Sequence, residues 1–523
     1  MLAIEPINGA AQPLSASGRF PLALLVVIGL IPLGLFLVNP WQPLLEHDAF
    51  RQTQTAIVSY WLMHGGDFVR YLTPVLGYPW TLPMEFPLFQ GLVAFVCTHT
   101  GLPLDFTGRL LSFVFFYAAC VPIFVCLRPY GWPALVAAIA LFFTGPTSLF
   151  FSRAFLIETL ATTLALSALC SYILFLRAGK WGYLCAFALL GTLAGLQKIT
   201  TFLPVAGVCG LDCVRAQIRP LLRGRWRELD LRAPLCILAS LVLPVVWTVY
   251  SDQIKHEGTL AEFLTSTALS NWNFGTLAQR LQWQSWHRIF LIRIILIGGF
   301  ALMVPVIGYA ALKKQSIFNR EAGLLLFSGL LGPLVFFNLH YVHDYYQVGS
   351  LVFLACAAAI IAAPCLQAVW TASRVYFSAV VAAIAAANLG LLYLYYGPVI
   401  RGLPEQDALA YNIAIYLKEH QAENDFSVIV GQDWNSTIPY YSGRYAVMIP
   451  PWVPWETRAA IMRNPDSYAG GRRIGAVVYC DIGDRPVAQA AIEREQLFAQ
   501  IEGAVAQVQN CQVKTRGGPP PAP

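Results

Sequence analysis

The apolar side chains of this sequence are gathered into long runs, and that arrangement restricts the possible folds more than any motif does. Many runs hold about 18 to 22 residues, and about 20 are what a helix needs to cross a hydrocarbon core of roughly 30 Å. We read eleven spans, at approximately 20–38, 109–127, 131–150, 156–176, 182–197, 199–213, 233–250, 289–311, 321–338, 347–366 and 375–396. Charge is correspondingly scarce: 12% of residues are charged and 57% hydrophobic, where soluble domains carry about 25% charged residues. The fold class expected is an all-α polytopic membrane protein.

Lys and Arg collect in short cytoplasmic loops, so their positions give the orientation. With the N-terminus inside, the inner loops hold Arg128, then Arg177 and Lys180, then the series Arg215 to Arg232, then Lys313, Lys314 and Arg320, then Arg374. The segment 86–101, "FPLFQGLVAFVCTHTG", is apolar but short, and counting it as a span would invert every later loop. It is therefore expected to be a re-entrant or interfacial helix on the outer side. The first run leads into "NPWQP" without a cleavage site, so it is read as an uncleaved helix after a cytoplasmic segment 1–19.

An odd number of spans makes 20–396 a membrane domain with a first outer loop at 39–108, and leaves everything after about 397 outside. There the pattern changes. "DALAYNIAIYLKEH" reads as an amphipathic helix, and "FSVIVG", "YAVMIP" and "IGAVVYC" as short strands, so 397–515 is expected to form a small C-terminal periplasmic α/β domain. The tail 516–523, with "GGPPPAP", is expected to be disordered.

Most of the 12 cysteines lie in apolar spans, where Cys behaves as a small hydrophobe. Cys480 and Cys511 fall in the outer domain, where a disulfide and two buried thiols are both open. No Cys-x-x-Cys, P-loop or GxGxxG pattern is present, and the 8 His residues lack zinc-ligand spacing. The net charge of +6 is mostly inner-loop charge, so it does not indicate nucleic acid as a partner.

The remaining charges cluster on one side. Asp48, Arg51, Gln52 and Gln54 follow the first span, and Glu85 sits in "YPWTLPMEFPLFQ". Arg153 and Glu158 occur in "FSRAFLIETLATT", Lys198 in "GLQKITTF", and "HYVHDYYQV" supplies His340, His343, Asp344, Tyr345, Tyr346 and Gln347. An ionisable group at membrane depth costs roughly 2.5–3.5 kcal/mol on insertion scales, so several together suggest a water-filled cavity. Blander readings stand beside each residue. Asp48 and Arg51 suit an i, i+3 ion pair, Glu158 a helix start, Lys198 a snorkelling position, and His343 with Tyr345 an interfacial belt. Trp272, Trp283 and Trp286 in 251–288 suit an interfacial helix, either a flap or a plain anchor.

In their order, these signals resemble the C-type (GT-C) membrane glycosyltransferases that use polyprenyl-phosphate sugars, in particular the group of protein O-mannosyltransferases and the lipid A aminoarabinose transferase. The carriers are Asp48 and Arg51, "GGDFVRY", "MEFPLFQ" with Glu85, "SRAFLIE" with Arg153 and Glu158, "GLQK" with Lys198, and "HDYYQV". The resemblance covers about residues 20–370 and implies a fold of about 11–13 membrane helices. It also implies a bacterial inner-membrane enzyme acting on the periplasmic side. Its donor would be a polyprenyl-phosphate sugar of undecaprenyl type and its acceptor lipid A, a glycan or a protein, transfer inverting the anomeric carbon.

On that resemblance Asp48 is the expected base, with Glu158 and Glu85 binding hydroxyls and positioning it. Arg51, Lys198, Arg153, His343 and Tyr345 would receive the phosphate. A departure goes with it: the aminoarabinose transferases have Lys after the acid matching Glu85, and here Phe86 follows. No cofactor is required by these residues, and a divalent metal stays open. The competing class is a lipid or glycolipid transporter or flippase, whose broken helices and internal repeats are not evident in this sequence.

Overall fold

The structure is a computed structural model, and it describes residues 19–225, 229–401, 405–480, 483 and 486–516. The expected cytoplasmic segment 1–19, apart from Arg19, and the expected tail, apart from Arg516, lie outside the described residues. The chain divides into two compact units, one of residues 19–40, 109–246 and 270–398, the other of 41–108, 247–269 and 399–516.

The first unit is helical. The expected spans fall largely on helix, and among the described residues six helices are long and apolar enough to cross a bilayer. They are Arg19–Phe36, Leu104–Tyr130, Glu158–Ala178, Ile199–Leu222, Arg232–Lys255 and Arg374–Tyr395, and a pair bent by 62°, Tyr345–Ile361 with Ala363–Ala372, makes a seventh. The other expected spans are shorter or broken helices, such as Trp132–Thr144, Trp181–Gln197 and Met303–Leu312. Glycine and proline interrupt them: Gly145 and Pro146 separate Trp132–Thr144 from Pro146–Phe151, and a π-helical stretch, His287–Leu296, precedes Met303.

Burial sorts these helices into centre and rim. All residues of Trp132–Thr144 except Trp132 are buried, as is nearly all of Val348–Ile361. On Arg19–Phe36 and Arg232–Lys255, by contrast, leucines and valines stand exposed, among them Leu22, Val26, Val27, Leu30, Leu238 and Val242. In water each would forfeit about 25 cal/mol per Å² of apolar surface, so these faces belong against lipid. The chain is a multi-pass membrane protein. Two of the arginines used to set the orientation are tied into it: Arg177 Nε donates to Glu321 at 2.7 Å, and Arg320 grips Asp212 with two bonds of 2.8 and 2.6 Å.

The second unit is built on a five-stranded sheet of order β2-β1-β3-β5-β4. The three apolar strand signals are strands β1 (Phe426–Val430), β2 (Tyr445–Ile449) and β3 (Ile474–Cys480), and β1 runs parallel to both others. These strands are buried along their whole length, as in sheets covered on both faces. The expected helix is present as Glu405–His420. The hairpin of β4 (Ala504–Val508) and β5 (Cys511–Thr515) then adds antiparallel to β3. Cys480 and Cys511 face each other in register and are joined by a disulfide.

The first outer loop contributes to this unit directly. Residues 74–77 run along the free edge of β2, where Ala446 and Met448 donate backbone N–H bonds of 3.0 Å to the carbonyls of Pro74 and Val75. The edge is thereby paired and shielded from other chains. The segment 86–101, expected as a re-entrant or interfacial helix, forms Leu88–Thr100 within this unit.

Candidate functional site

In the sheet unit the polar residues of the first loop are arranged around the start of the helix Ala49–Met63. Asp48 occupies the N-cap position but has left-handed backbone angles, φ 59° and ψ 35°, and its carboxylate makes no capping bond. Asp is a preferred N-cap because its side chain satisfies an orphan N–H, and here that use is forgone. The left-handed conformation costs roughly 1–2 kcal/mol in an L-residue, though Asp tolerates it better than most. The carboxylate, with its side chain 18% exposed, lies 3.4 Å from His47 Nε2. Imidazole and carboxylate together are two donors of the kind a divalent cation takes.

One turn on, Arg51 is held in place. Its guanidinium donates to Gln54 Oε1 at 2.5 Å and to Glu85 Oε1 at 2.8 Å, the Arg51 and Glu85 side chains being 13% and 12% exposed. Glu85 also accepts from Gln90 Nε2 at 3.4 Å. The bend carrying Glu85 is anchored by buried Tyr71, whose hydroxyl donates to the Glu85 carbonyl and accepts from the Met84 N–H, both at 2.8 Å. Burial and the Glu85 carboxylate push the Tyr71 phenol well above its ordinary pKa, so it stays a neutral donor. Trp247 Nε1 and Ser251 Oγ hold the carbonyls of Met84 and Pro83. Phe86 packs edge-on against Trp247 and Phe68, with ring centroids 5.0 and 5.6 Å apart. Where the aminoarabinose pattern has a lysine, this chain places an aromatic packing residue.

In the helical unit a second acid–cation pair is buried. Glu158 opens the helix Glu158–Ala178 and is 1% exposed. Lys198 stands at the extended break between the helices Trp181–Gln197 and Ile199–Leu222, and its Nζ donates to Glu158 Oε1. The same ammonium lies 3.8 Å from the centroid of the Tyr346 ring and 5.2 Å from that of Tyr345, within cation–π range. Around the pair, Glu158 Oε2, the hydroxyls of Thr159, Thr162 and Thr200, and Gln347 Oε1 are buried with no hydrogen-bond partner among the described residues. A native fold leaves few such groups, so this concentration marks a place for water or a polar ligand.

The "HYVHDYYQV" stretch meets the pair through the rings of Tyr345 and Tyr346. Arg293 donates to the carbonyls of His340 and Val342 at 2.6 and 2.9 Å, and Tyr396 donates to Asp344 Oδ2 at 2.8 Å. His343 packs its ring near those of Tyr345, Tyr346 and Trp272, at 5.1 to 6.1 Å. Arg153, 1% exposed, donates from Nη1 to the carbonyls of Leu35 and Val38, satisfying the end of the first helix. The structure thus brings Arg51 with Glu85, and Glu158 with Lys198, Tyr345 and Tyr346, while it engages Arg153 in helix termination. Gln90, Tyr71, Arg293 and Tyr396 support these groups without having been singled out. Tyr71 and Arg293 act through backbone carbonyls and Tyr396 on a residue 52 positions away, so their signal was weak.

Neither protein-family models nor curated proteins match this sequence. Solved structures do. ArnT from Cupriavidus metallidurans bound to undecaprenyl phosphate superposes with TM-score 0.63 at 15% identity, over 96% of this chain and 100% of that one. The same protein in its apo state gives 0.61 at 14% identity, over 95% and 99%. The mycobacterial arabinofuranosyltransferase AftD gives 0.54 at 16% identity, with 98% of this chain covering 40% of that one. The chain has the GT-C fold of these proteins, as the resemblance implied.

Proposed function

We propose that this chain is an integral-membrane glycosyltransferase that moves a sugar from a polyprenyl-phosphate carrier, of undecaprenyl type, to a hydroxyl of lipid A, another glycan or a protein. The fold it shares with an undecaprenyl-phosphate-binding protein supports that class. The single observation that carries the reading is Asp48, a carboxylate held at a helix start in a left-handed conformation and not spent on capping.

In this reading Asp48 accepts the proton of the acceptor hydroxyl as its oxygen attacks the anomeric carbon. The carbon–oxygen bond to phosphate breaks, polyprenyl phosphate leaves with the electron pair, and the anomeric configuration inverts. A general base of this kind contributes about 10² to 10⁴ in rate. Arg51, pre-set by Gln54 and Glu85, suits phosphate because its planar fork can meet two oxygens at once. Glu85 orients Arg51. In the helical unit Lys198 offers a compact cation and Glu158 an acceptor for sugar hydroxyls, with Tyr345 and His343 as further donors. Arg153 acts from a distance by fixing the first helix. A divalent metal would be held by His47 and Asp48 with donors from substrate. In this reading transfer takes place on the periplasmic side of a bacterial inner membrane.

The test is release of free polyprenyl phosphate from a panel of polyprenyl-phosphate hexoses and pentoses. Purified protein in lipid is supplied with a membrane extract as acceptor, and wild type is compared with Asp48→Asn. Release by wild type alone supports the class and identifies the sugar. Absence of release from every donor rejects it in favour of transport.

A further inference from the structure

β1 sends the chain first to β2 on one side and later to β3 on the other, so the carboxyl end of β1 is a point where the strand order reverses. In open parallel sheets, ligands bind in the crevice beyond such a point. Here the loop "GQDWNST" leaves β1 at that end. It turns at Gly431, φ 84°, where any Cβ would overlap the Cys480 carbonyl, and again at Asp433, left-handed at φ 49°.

The side chains of this loop join those of two other segments of the sheet unit in a row. Trp434 packs edge-on against Phe50, with centroids 4.9 Å apart. Asp433 Oδ1 accepts from Trp452 Nε1 at 2.9 Å, and Trp452, 43% exposed, packs edge-on against Phe263 at 6.0 Å. Burial raises the Asp433 carboxyl above its ordinary pKa, although the Trp452 bond opposes that shift. In the same loop Ser436 Oγ is buried with no hydrogen-bond partner among the described residues. The loop is also tied to the helix that follows Asp48, since Thr437 Oγ1 lies 3.3 Å from Thr53 Oγ1.

We propose that the row Phe50, Trp434, Asp433, Trp452 and Phe263 is a subsite for a neutral pyranose ring of the acceptor, a reading that rests on the glycosyltransferase proposed above. A sugar ring offers an apolar face of C–H groups and an equatorial rim of hydroxyls. Exposed indole suits the first, and a carboxylate oriented by an indole N–H suits the second. The row begins at Phe50, in the first turn of the helix that Asp48 precedes, so the acceptor subsite and the proposed base share one helix start. A membrane anchor would also display tryptophan, but it would not set a carboxylate among its rings, where insertion into lipid would charge roughly 2.5–3.5 kcal/mol.

The test is direct titration of full-length protein in lipid nanodiscs with neutral gluco-, galacto- and manno-oligosaccharides of two to four sugars, read by tryptophan fluorescence and by ligand-detected NMR. At least one series is expected to bind. Trp452→Ala is expected to weaken it about three- to tenfold, with partial recovery in Trp452→Phe. Asp433→Asn is expected to weaken it about tenfold or more. Trp455→Ala, an exposed indole outside the row, is expected to leave it unchanged. Failure of all three series to bind overturns the proposal. So does equal loss in Trp452→Ala and Trp455→Ala accompanied by weaker binding to empty vesicles, which is the signature of an anchor. Because the titration involves no turnover, its failure stays distinct from a failure to release polyprenyl phosphate.

Discussion

Two of the acid–cation pairs, both built from residues the sequence singled out, have like chemistry in unlike surroundings. Arg51 and Glu85, in the sheet unit, keep some contact with solvent, and Arg51 divides its guanidinium between Glu85 and Gln54. Glu158 and Lys198, in the helical unit, are almost wholly buried, and the Lys198 ammonium meets the Glu158 carboxylate and the faces of two tyrosines. Burial decides what each pair can do. A half-screened arginine can exchange a partner for a ligand at small cost, whereas a buried ammonium deprived of its carboxylate is stranded.

Asp48→Asn tests the more open site and carries the largest expected effect, a loss of about 10² to 10⁴ in turnover, since amide replaces base at nearly the same shape. Chromatographic behaviour and melting temperature should be unchanged, and near-normal activity would remove Asp48 from the chemistry. Next comes the contrast itself. Glu158→Gln should destabilise by about 3–5 kcal/mol by removing the carboxylate that faces the buried Lys198 ammonium, and Glu85→Gln by about 1–2 kcal/mol. Equal melting shifts for the two variants would break the comparison.

Arg51→Ala should reduce donor use by about 1.5–3 kcal/mol, or roughly ten- to 150-fold in the donor constant, with less change for acceptor. A shift confined to the acceptor constant would refute the phosphate role. Phe86→Ala should have the smallest catalytic effect. It removes a ring packed on Trp247 and Phe68, so a melting shift worth about 1–2 kcal/mol with unaltered kcat is expected. A kcat change larger than the stability change would mean that Phe86 touches substrate.

The membrane spans were legible in the sequence because length and apolarity are local properties, and so were β1 to β3, each a short apolar run. β4 was not, because its residues are mostly exposed and its turn uses Gln509 in the left-handed region. The stronger hairpin signals are Asn-Gly and Asp-Gly. At the candidate site, Asp48, Arg51, Glu85, Glu158 and Lys198 stood out because charge is expensive in such a chain. What held them did not, since Tyr71 and Trp247 act through backbone carbonyls, the latter across 163 residues. The assembly of the sheet unit from three separate segments was invisible for the same reason, because edge pairing between 74–77 and β2 leaves no periodic trace.

That assembly imposes an order in time. The Leu44 N–H donates to the Tyr441 hydroxyl across 397 residues of sequence. At a synthesis rate of about 5–20 residues per second, the second partner emerges roughly 20 to 80 s after the first. Until then the loop bearing Asp48 lacks the strand edge and the tyrosine that frame it, so a nascent chain passes through membrane insertion with this loop still unassembled.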